Sequence, residues 1–302
     1  MSSIEPPETG KGPNGESGRG DTYDFRMQLR PCALLALAES VPARKVALTQ
    51  ALAAAARDRQ CRLDLQAVLS APAGLPGRPA LPRLVPAVQV PPRSPFTLAG
   101  RAALLHAICH IEFNAINLAL DAVWRFAGMP EKYYFDWLQV AGEEALHFSL
   151  LHTHLTSLGH VYGDFDAHDG LWQMTEATAG DIVARMALVP RTLEARGLDA
   201  TPPIQAKLRK AGDERAVAIL DIILRDEIGH VAIGNHWYRW LCERDGLDAQ
   251  TLYPELVARY CAPRLRPPFN LEARRAAGFS EAELDWLAQQ SPAQASKALA
   301  KA

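Results

Sequence analysis

The chain has 302 residues, of which 48% are hydrophobic and 22% are charged, a balance typical of a globular protein and not of a disordered or fibrous one. Its formal net charge of −2 gives no general argument for nucleic acid or an anionic membrane as a partner. The five cysteines, an odd number without CxxC spacing, predict neither a disulfide framework nor a finger-type zinc site, and they favour a reducing cytoplasm.

The N-terminus lacks the basic start and apolar stretch of a secretory signal. No apolar run approaches the roughly 20 residues that a membrane span needs. We therefore expect a cytoplasmic protein without membrane contact. Residues 1–22 are predicted to be disordered, because they offer too few apolar groups to offset the ordering of the chain.

Residues 23–96 are predicted to form N-terminal helices and a proline-rich strap that pack on the rest of the chain. One helix is expected around residues 26–38. A second is expected in "PARKVALTQALAAAARDRQ", which begins with Pro42 and is rich in alanine. In residues 71–95 the prolines remove backbone donors and block regular helix, so we expect an extended strap over the surface.

Four long helices are predicted within residues 97–245, over residues 97–126, 130–158, 171–196 and 212–244. Gly197 is expected to close the third, and Pro202 and Pro203 to restart a short helix before the fourth. A short link joins the first two helices, whereas roughly a dozen residues separate the second from the third, enough to carry the chain along a bundle. The pattern predicts an all-α fold, a ferritin-like four-helix bundle with one long crossover, and no credible strand.

Residues 246–302 are predicted to be a C-terminal extension with a terminal helix after Ser280. This extension is locally basic. Its arginines are Arg259, Arg264, Arg266, Arg274 and Arg275.

Two copies of one motif, acid-Glu-x-x-His, lie on the second and fourth long helices as "EEALH" (residues 143–147) and "DEIGH" (residues 226–230). A Glu and a His three residues apart share one face of a helix and can chelate one ion. A single copy is more often a solvated pair on a surface helix, but two copies on two helices are much less readily explained by chance.

A carboxylate-bridged two-metal site in a four-helix bundle also needs one Glu from each of the other two helices. Glu112 lies in the apolar middle of the first helix, and Glu194 lies on the third. Their spacing to the motifs agrees, since Glu112 precedes Glu144 by 32 residues and Glu194 precedes Glu227 by 33. The six predicted ligands are Glu112, Glu144, His147, Glu194, Glu227 and His230.

Four carboxylates and two imidazoles suit two divalent metal ions and leave open positions for dioxygen. Iron is favoured, and manganese or a mixed pair stays open. Four further residues are predicted to support the ligands. Glu143 and Asp226 are placed to accept the free N–H of a ligand histidine, Arg191 to neutralise or orient Glu194, and Cys109 to point toward the site.

Other polar groups have plainer explanations. His106 and His110 face away from Glu112 and are expected at a helix contact. The acids and histidines of residues 160–169 suit turns, although a binding role stays open. Gly229 and Gly234 leave room for a pocket on the fourth helix, and close helix packing explains them equally well.

Several long phrases, among them "GRAALLHAICHIEFNAINLALDAVWRF", "GDFDAHDGLW", "RMALVPRTLEARGLDATPP" and "RDEIGHVAIGNHWY", resemble the bacterial family of ferritin-like proteins known as DUF455. The likeness covers roughly residues 75–285. That family is similar, distantly, to the di-iron tRNA hydroxylases. The resemblance implies a ferritin-like fold and the six ligands above, but it implies no substrate.

Three functions follow as hypotheses. The first is an oxygen-activating di-iron oxidase or monooxygenase, which would need an unidentified substrate and, as a monooxygenase, an electron donor. The second is a ferroxidase or peroxide-scavenging protein, against which stands the absence of rubredoxin-type CxxC pairs. The third is a tRNA-binding or scaffold protein with a structural metal, which the overall charge disfavours. A monomer or small homo-oligomer is expected.

Overall fold

The computed structural model describes residues 27–91 and 94–289, and within them the fold is all-α, as predicted. The predicted disorder of residues 1–22 lies outside the described residues. The helices are α1 (Leu29–Ala38), α2 (Pro42–Arg57), α3 (Leu98–Arg125), α4 (Glu131–Ser157), α5 (Gly170–Ala177), α6 (Ile182–Leu188), α7 (Ala195–Lys210), α8 (Glu214–Arg244), α9 (Ala249–Arg259), α10 (Leu271–Ala276) and α11 (Glu281–Gln289).

Two short strands correct the expectation that the chain has none. Strand β1 (Met27–Gln28) pairs in parallel with β2 (Cys61–Arg62). Each has only two residues, too few to show the alternating pattern by which a strand is recognised in a sequence. The proline-rich stretch contains no α-helix in its described part, and it holds one short 3₁₀ turn, Ala87–Gln89.

Helices α3 and α4 pack antiparallel, and α8 packs antiparallel to α4, since His147 contacts Asp226 while Glu143 contacts His230. Helix α3 is long and apolar enough to cross a membrane by length and composition alone. However, 78% of its most apolar window is buried inside the protein, so this helix supplies core and not a lipid-facing surface.

A buried ion pair ties α3 to α6. The guanidinium of Arg185 pairs with Asp121, which also accepts from Arg125 at 2.7 Å. Arg185 and Asp121 are 1% and 0% exposed. Because a buried charge is costly unless it is paired, this contact explains an acid and a base inside the protein without any role in metal binding.

The third long helix differs most from its prediction. It is divided into α5, α6 and a π-helical segment, Val189–Glu194, which continues directly into α7. Gly197, Pro202 and Pro203 all lie inside α7, so they neither end nor restart a helix. Pro202 has no N–H for the carbonyl of Leu198, and Asn270 Nδ2 donates to that carbonyl at 3.2 Å instead.

Candidate metal centre

Five of the six predicted ligands lie together in the interior, on three helices. Helix α3 provides Glu112, α4 provides Glu144 and His147, and α8 provides Glu227 and His230. All five are buried, with exposures from 0% to 7%. The three-residue spacing directs the Glu and the His of each motif to the same side of the helix, and antiparallel packing brings the two motifs face to face.

Glu144 lies between the two imidazoles. Its Oε2 is 3.3 Å from Nδ1 of His147, and its Oε1 is 3.0 Å from Nδ1 of His230. Glu112 Oε2 lies 3.2 Å from the same nitrogen of His147, and Glu227 Oε2 lies 3.8 Å from that of His230. The arrangement is therefore two similar halves that share one carboxylate.

Each half can hold a metal ion. In both, one carboxylate oxygen or imidazole nitrogen per residue lies within 4.8 Å of the others, a separation that ligands of a single ion can have. The two groups are Glu112, Glu144 and His147, and Glu144, Glu227 and His230.

The outer nitrogens of the two histidines donate to carboxylates of the opposite motif. His147 Nε2 lies 3.0 Å from Asp226 Oδ2, and His230 Nε2 lies 2.7 Å from Glu143 Oε2. An ionised carboxylate only accepts hydrogen bonds, so it holds a proton on Nε2 and leaves Nδ1 of a neutral imidazole free to bind a metal. Glu143 and Asp226 thus lie where the sequence predicted acceptors for these histidines.

Burial and close contacts among the acids and histidines of the cluster shift their pKa values. Burial lowers the pKa of His147, but hydrogen bonds with Glu112 and Glu144 outweigh it and raise that pKa to about 11. Burial and the charge of Glu144 raise the pKa of Glu112. Burial acts in the same direction on Glu144, but hydrogen bonds from His147 and His230 prevail and lower its pKa. Without metal, the cluster therefore retains protons that a metal must displace.

Glu194 lies at the end of the π-helical segment, near the other acids but outside the two groups of three. Burial and the charge of Glu227 raise its pKa. Its Oε2 is enclosed without a hydrogen-bond partner, as is Glu227 Oε2. Buried carboxylate oxygens without donors are costly, and a divalent cation is the partner that suits them, so the residues present fit a metal.

The structure corrects part of the prediction for Arg191, because this side chain does not contact Glu194 and so does not neutralise it directly. It donates to Asn235 Oδ1 at 2.6 Å and pairs with Glu283 on α11. The prediction assumed α-helical spacing, in which residues three apart share a face, whereas a π-helix has i→i+5 hydrogen bonds and more residues in each turn. Sequence reasoning also overlooked Glu283, although the pair Ser280 and Glu283 has the spacing of a capping box.

The remaining candidates have structural partners. Cys109 is buried and its Sγ lies 3.8 Å from the carbonyl of Phe148, while burial and the charge of Glu112 raise its pKa. His110 is hydrogen-bonded to the Tyr162 hydroxyl at 2.8 Å, so its partner lies in the segment between α4 and α5 and not on a neighbouring helix as expected. Gly234 serves packing, since a Cβ there would lie 2.5 Å from Cβ of Pro190.

Comparison with known proteins gives a family but no activity. The chain is 56% identical over 216 residues to a protein of Haemophilus influenzae described only as uncharacterized, a match that covers 69% of this chain and 75% of the relative. No solved structure matches the chain. The family model described as "Protein of unknown function (DUF455)" matches residues 38–285, most of the sequence. The chain therefore belongs to the DUF455 family.

Proposed function

We propose that this protein is a ferritin-like di-metal carboxylate protein, and that it is an oxygen-activating oxidase or monooxygenase with iron as its metal. The observation that carries the proposal is the position of Glu144 between the imidazoles of His147 and His230. The outer nitrogen of each imidazole is hydrogen-bonded to a further carboxylate. A solvated Glu-x-x-His pair on a surface helix would have neither feature.

Each metal would have its own set of ligands. One ion would be held by Glu112, Glu144 and His147, and the other by Glu144, Glu227 and His230. Glu194 would complete the second set, since its unpartnered Oε2 is close enough to Glu227 for their charges to interact. Two ferrous ions held there would supply two electrons for the reduction of dioxygen, which is the oxidant for a substrate. As a monooxygenase, the protein would also need an electron donor to return the ions to the ferrous state.

The residues of the chain contribute orientation and a dry environment. Asp226 and Glu143 fix the rings of His147 and His230 and keep their protons on Nε2. Phe113 and Phe148, which neighbour Glu112 and His147 in sequence, are 3% and 4% exposed, with ring centroids 5.3 Å apart. Exclusion of water strengthens the interactions of the carboxylates with a cation.

Anaerobic reconstitution with ferrous iron tests the proposal. We expect two metal ions for each chain, and oxygen consumption with an optical change after exposure to air. The variant Glu227→Ala should lose one ion, whereas Glu255→Ala, at an exposed position on α9, should keep both. Binding of one ion or none to the wild-type protein would contradict a di-metal site, and normal stoichiometry in Glu227→Ala would contradict the ligand assignment.

The same reconstituted protein separates the other hypotheses. Rapid removal of peroxide or ferrous iron without substrate oxidation would favour the peroxide-scavenging or ferroxidase function. Two of the five arginines of the basic extension are already paired, Arg274 with Asp199 at 2.6 Å and Arg275 with Glu281 at 2.6 Å, which weakens the case for a tRNA-binding role. Ion pairs of this kind lower the positive charge that would meet phosphates.

A further inference from the structure

Arg191 lies on the π-helical segment, three residues before Glu194, and is 3% exposed. Its guanidinium carbon is 4.8 Å from the ring centroid of Tyr253 and 4.9 Å from that of Phe279. Aromatic faces and a paired carboxylate can stabilise a buried guanidinium. The side chain is therefore enclosed between α8, which provides Asn235, and the C-terminal part of the chain.

Glu283, the carboxylate that pairs with Arg191, is itself fixed. Its Oε2 accepts from the backbone N–H of Ser280 at 2.8 Å and from the Ser280 hydroxyl at 2.9 Å. These bonds form a capping box at the start of α11. The pair thus joins the first turn of α11 to the π-helical segment.

Neighbouring residues of the segment are held equally closely. Pro190 packs against Gly234 of α8 with no space for a Cβ between them. The Thr192 hydroxyl donates to the carbonyl of Ala187 at 2.8 Å and lies 2.8 Å from the hydroxyl of Tyr253. Residues 190–192 are therefore anchored by α8 and by the C-terminal extension.

Glu194 differs from these residues, because its Oε2 is buried without a hydrogen-bond partner. The other proposed ligands of the same ion, Glu144 and Glu227, belong to regular α-helices. The position of Glu194 depends instead on the backbone of the π-helical segment, whose geometry is less favourable than that of an α-helix. Whatever anchors this segment also places the Glu194 carboxylate.

We propose that Arg191 is a positioning residue for Glu194. Through the Arg191–Glu283 pair, helix α11 fixes the π-helical segment so that Glu194 can reach the metal ion held by Glu227 and His230. The C-terminal extension thereby contributes to one half of the metal centre without providing a ligand. This inference rests on the proposed metal-binding function.

The variant Glu283→Gln tests the inference, because glutamine can keep the capping box but carries no charge to pair with Arg191. Glu281→Gln is the matched control on the same helix, since Glu281 forms an exposed pair with Arg275. Cobalt affinity is measured for both ions by competition with a chromophoric chelator. In Glu283→Gln we expect about a tenfold weaker affinity for one ion and no change for the other, as for loss of a group that orients a ligand. Glu281→Gln should match the wild type.

A fall in melting temperature of Glu283→Gln with both affinities unchanged would show that the pair is merely structural and would overturn the inference. If Glu283→Gln does not fold, the double variant Arg191→Met with Glu283→Met replaces the buried pair by apolar side chains, which cores often tolerate. It should show the same selective loss, and two normal affinities would overturn the inference. A wild-type protein that binds no metal would refute the proposed function together with the inference. Two ions in the wild type and unchanged binding in both variants would refute the inference alone.

Discussion

The Glu143 carboxylate accepts a hydrogen bond from His230 Nε2 at 2.7 Å. Replacing Glu143 by glutamine keeps the shape of the side chain and an acceptor oxygen but removes the negative charge. A hydrogen bond to a charged group contributes about 1.5–3 kcal/mol and a neutral one about 0.5–1.5 kcal/mol. The difference, about 1–1.5 kcal/mol, corresponds to a loss of roughly tenfold in metal affinity. Because the Glu143 side chain is 31% exposed, solvent screening keeps the effect at the lower end of the about 10- to 100-fold typical of such partners.

Competition with a chromophoric chelator measures this loss in the anaerobic protein. The companion variant Asp226→Asn should lose more, since the Asp226 side chain is only 12% exposed and is therefore less screened. Glu255→Gln, at an exposed position on α9, serves as the control for a simple change of net charge. Wild-type affinity in both Glu143→Gln and Asp226→Asn would refute the reasoning that these carboxylates orient the ligand histidines.

Three further outcomes are expected. Metal-free His147 has a pKa of about 11 and must lose its Nδ1 proton to bind a metal, so the apparent affinity for metal should rise at least about tenfold for each pH unit between about pH 6 and 8. A pH-independent affinity in chelator competition would contradict this. Asp121→Ala leaves the buried Arg185 charge without its carboxylate partner. This variant should lower the free energy of unfolding, measured in urea, by about 3–5 kcal/mol, more than any surface substitution. Gly234→Ala places a methyl group against Pro190 and should cost about 1–3 kcal/mol in the same assay, whereas wild-type stability would mean that the two helices can separate.

Helices α3, α4 and α8 could be predicted to within two residues at each end, because local signals mark where they begin and end. Thr97 and Asp213 cap the starts of α3 and α8 through their side chains, and Gly159 follows α4 with a positive φ of 81°. Such signals act over a few residues and can be recognised without knowledge of the tertiary structure.

The third long helix could not be predicted in this way. Pro202 normally ends or kinks a helix, but here the carbonyl that it leaves without a donor is bonded by Asn270, 72 residues away along the chain from Leu198. The π-helical segment likewise depends on contacts of Pro190 and Arg191 with distant helices. Tertiary contacts of this kind outweigh local preference.

By itself the sequence determined the helical class of the fold and the duplicated Glu-x-x-His motif, since both follow from spacing along one helix. It also indicated that the Glu112 carboxylate needs a paired charge or a metal ion, because its helix is apolar nearly all round. Only the tertiary structure decided that Asp226 is hydrogen-bonded to His147 and Glu143 to His230. It also decided that Arg191 pairs with Glu283 on α11. These contacts join residues 79 to 92 positions apart, and which distant side chains meet depends on how whole helices pack, which no local pattern encodes.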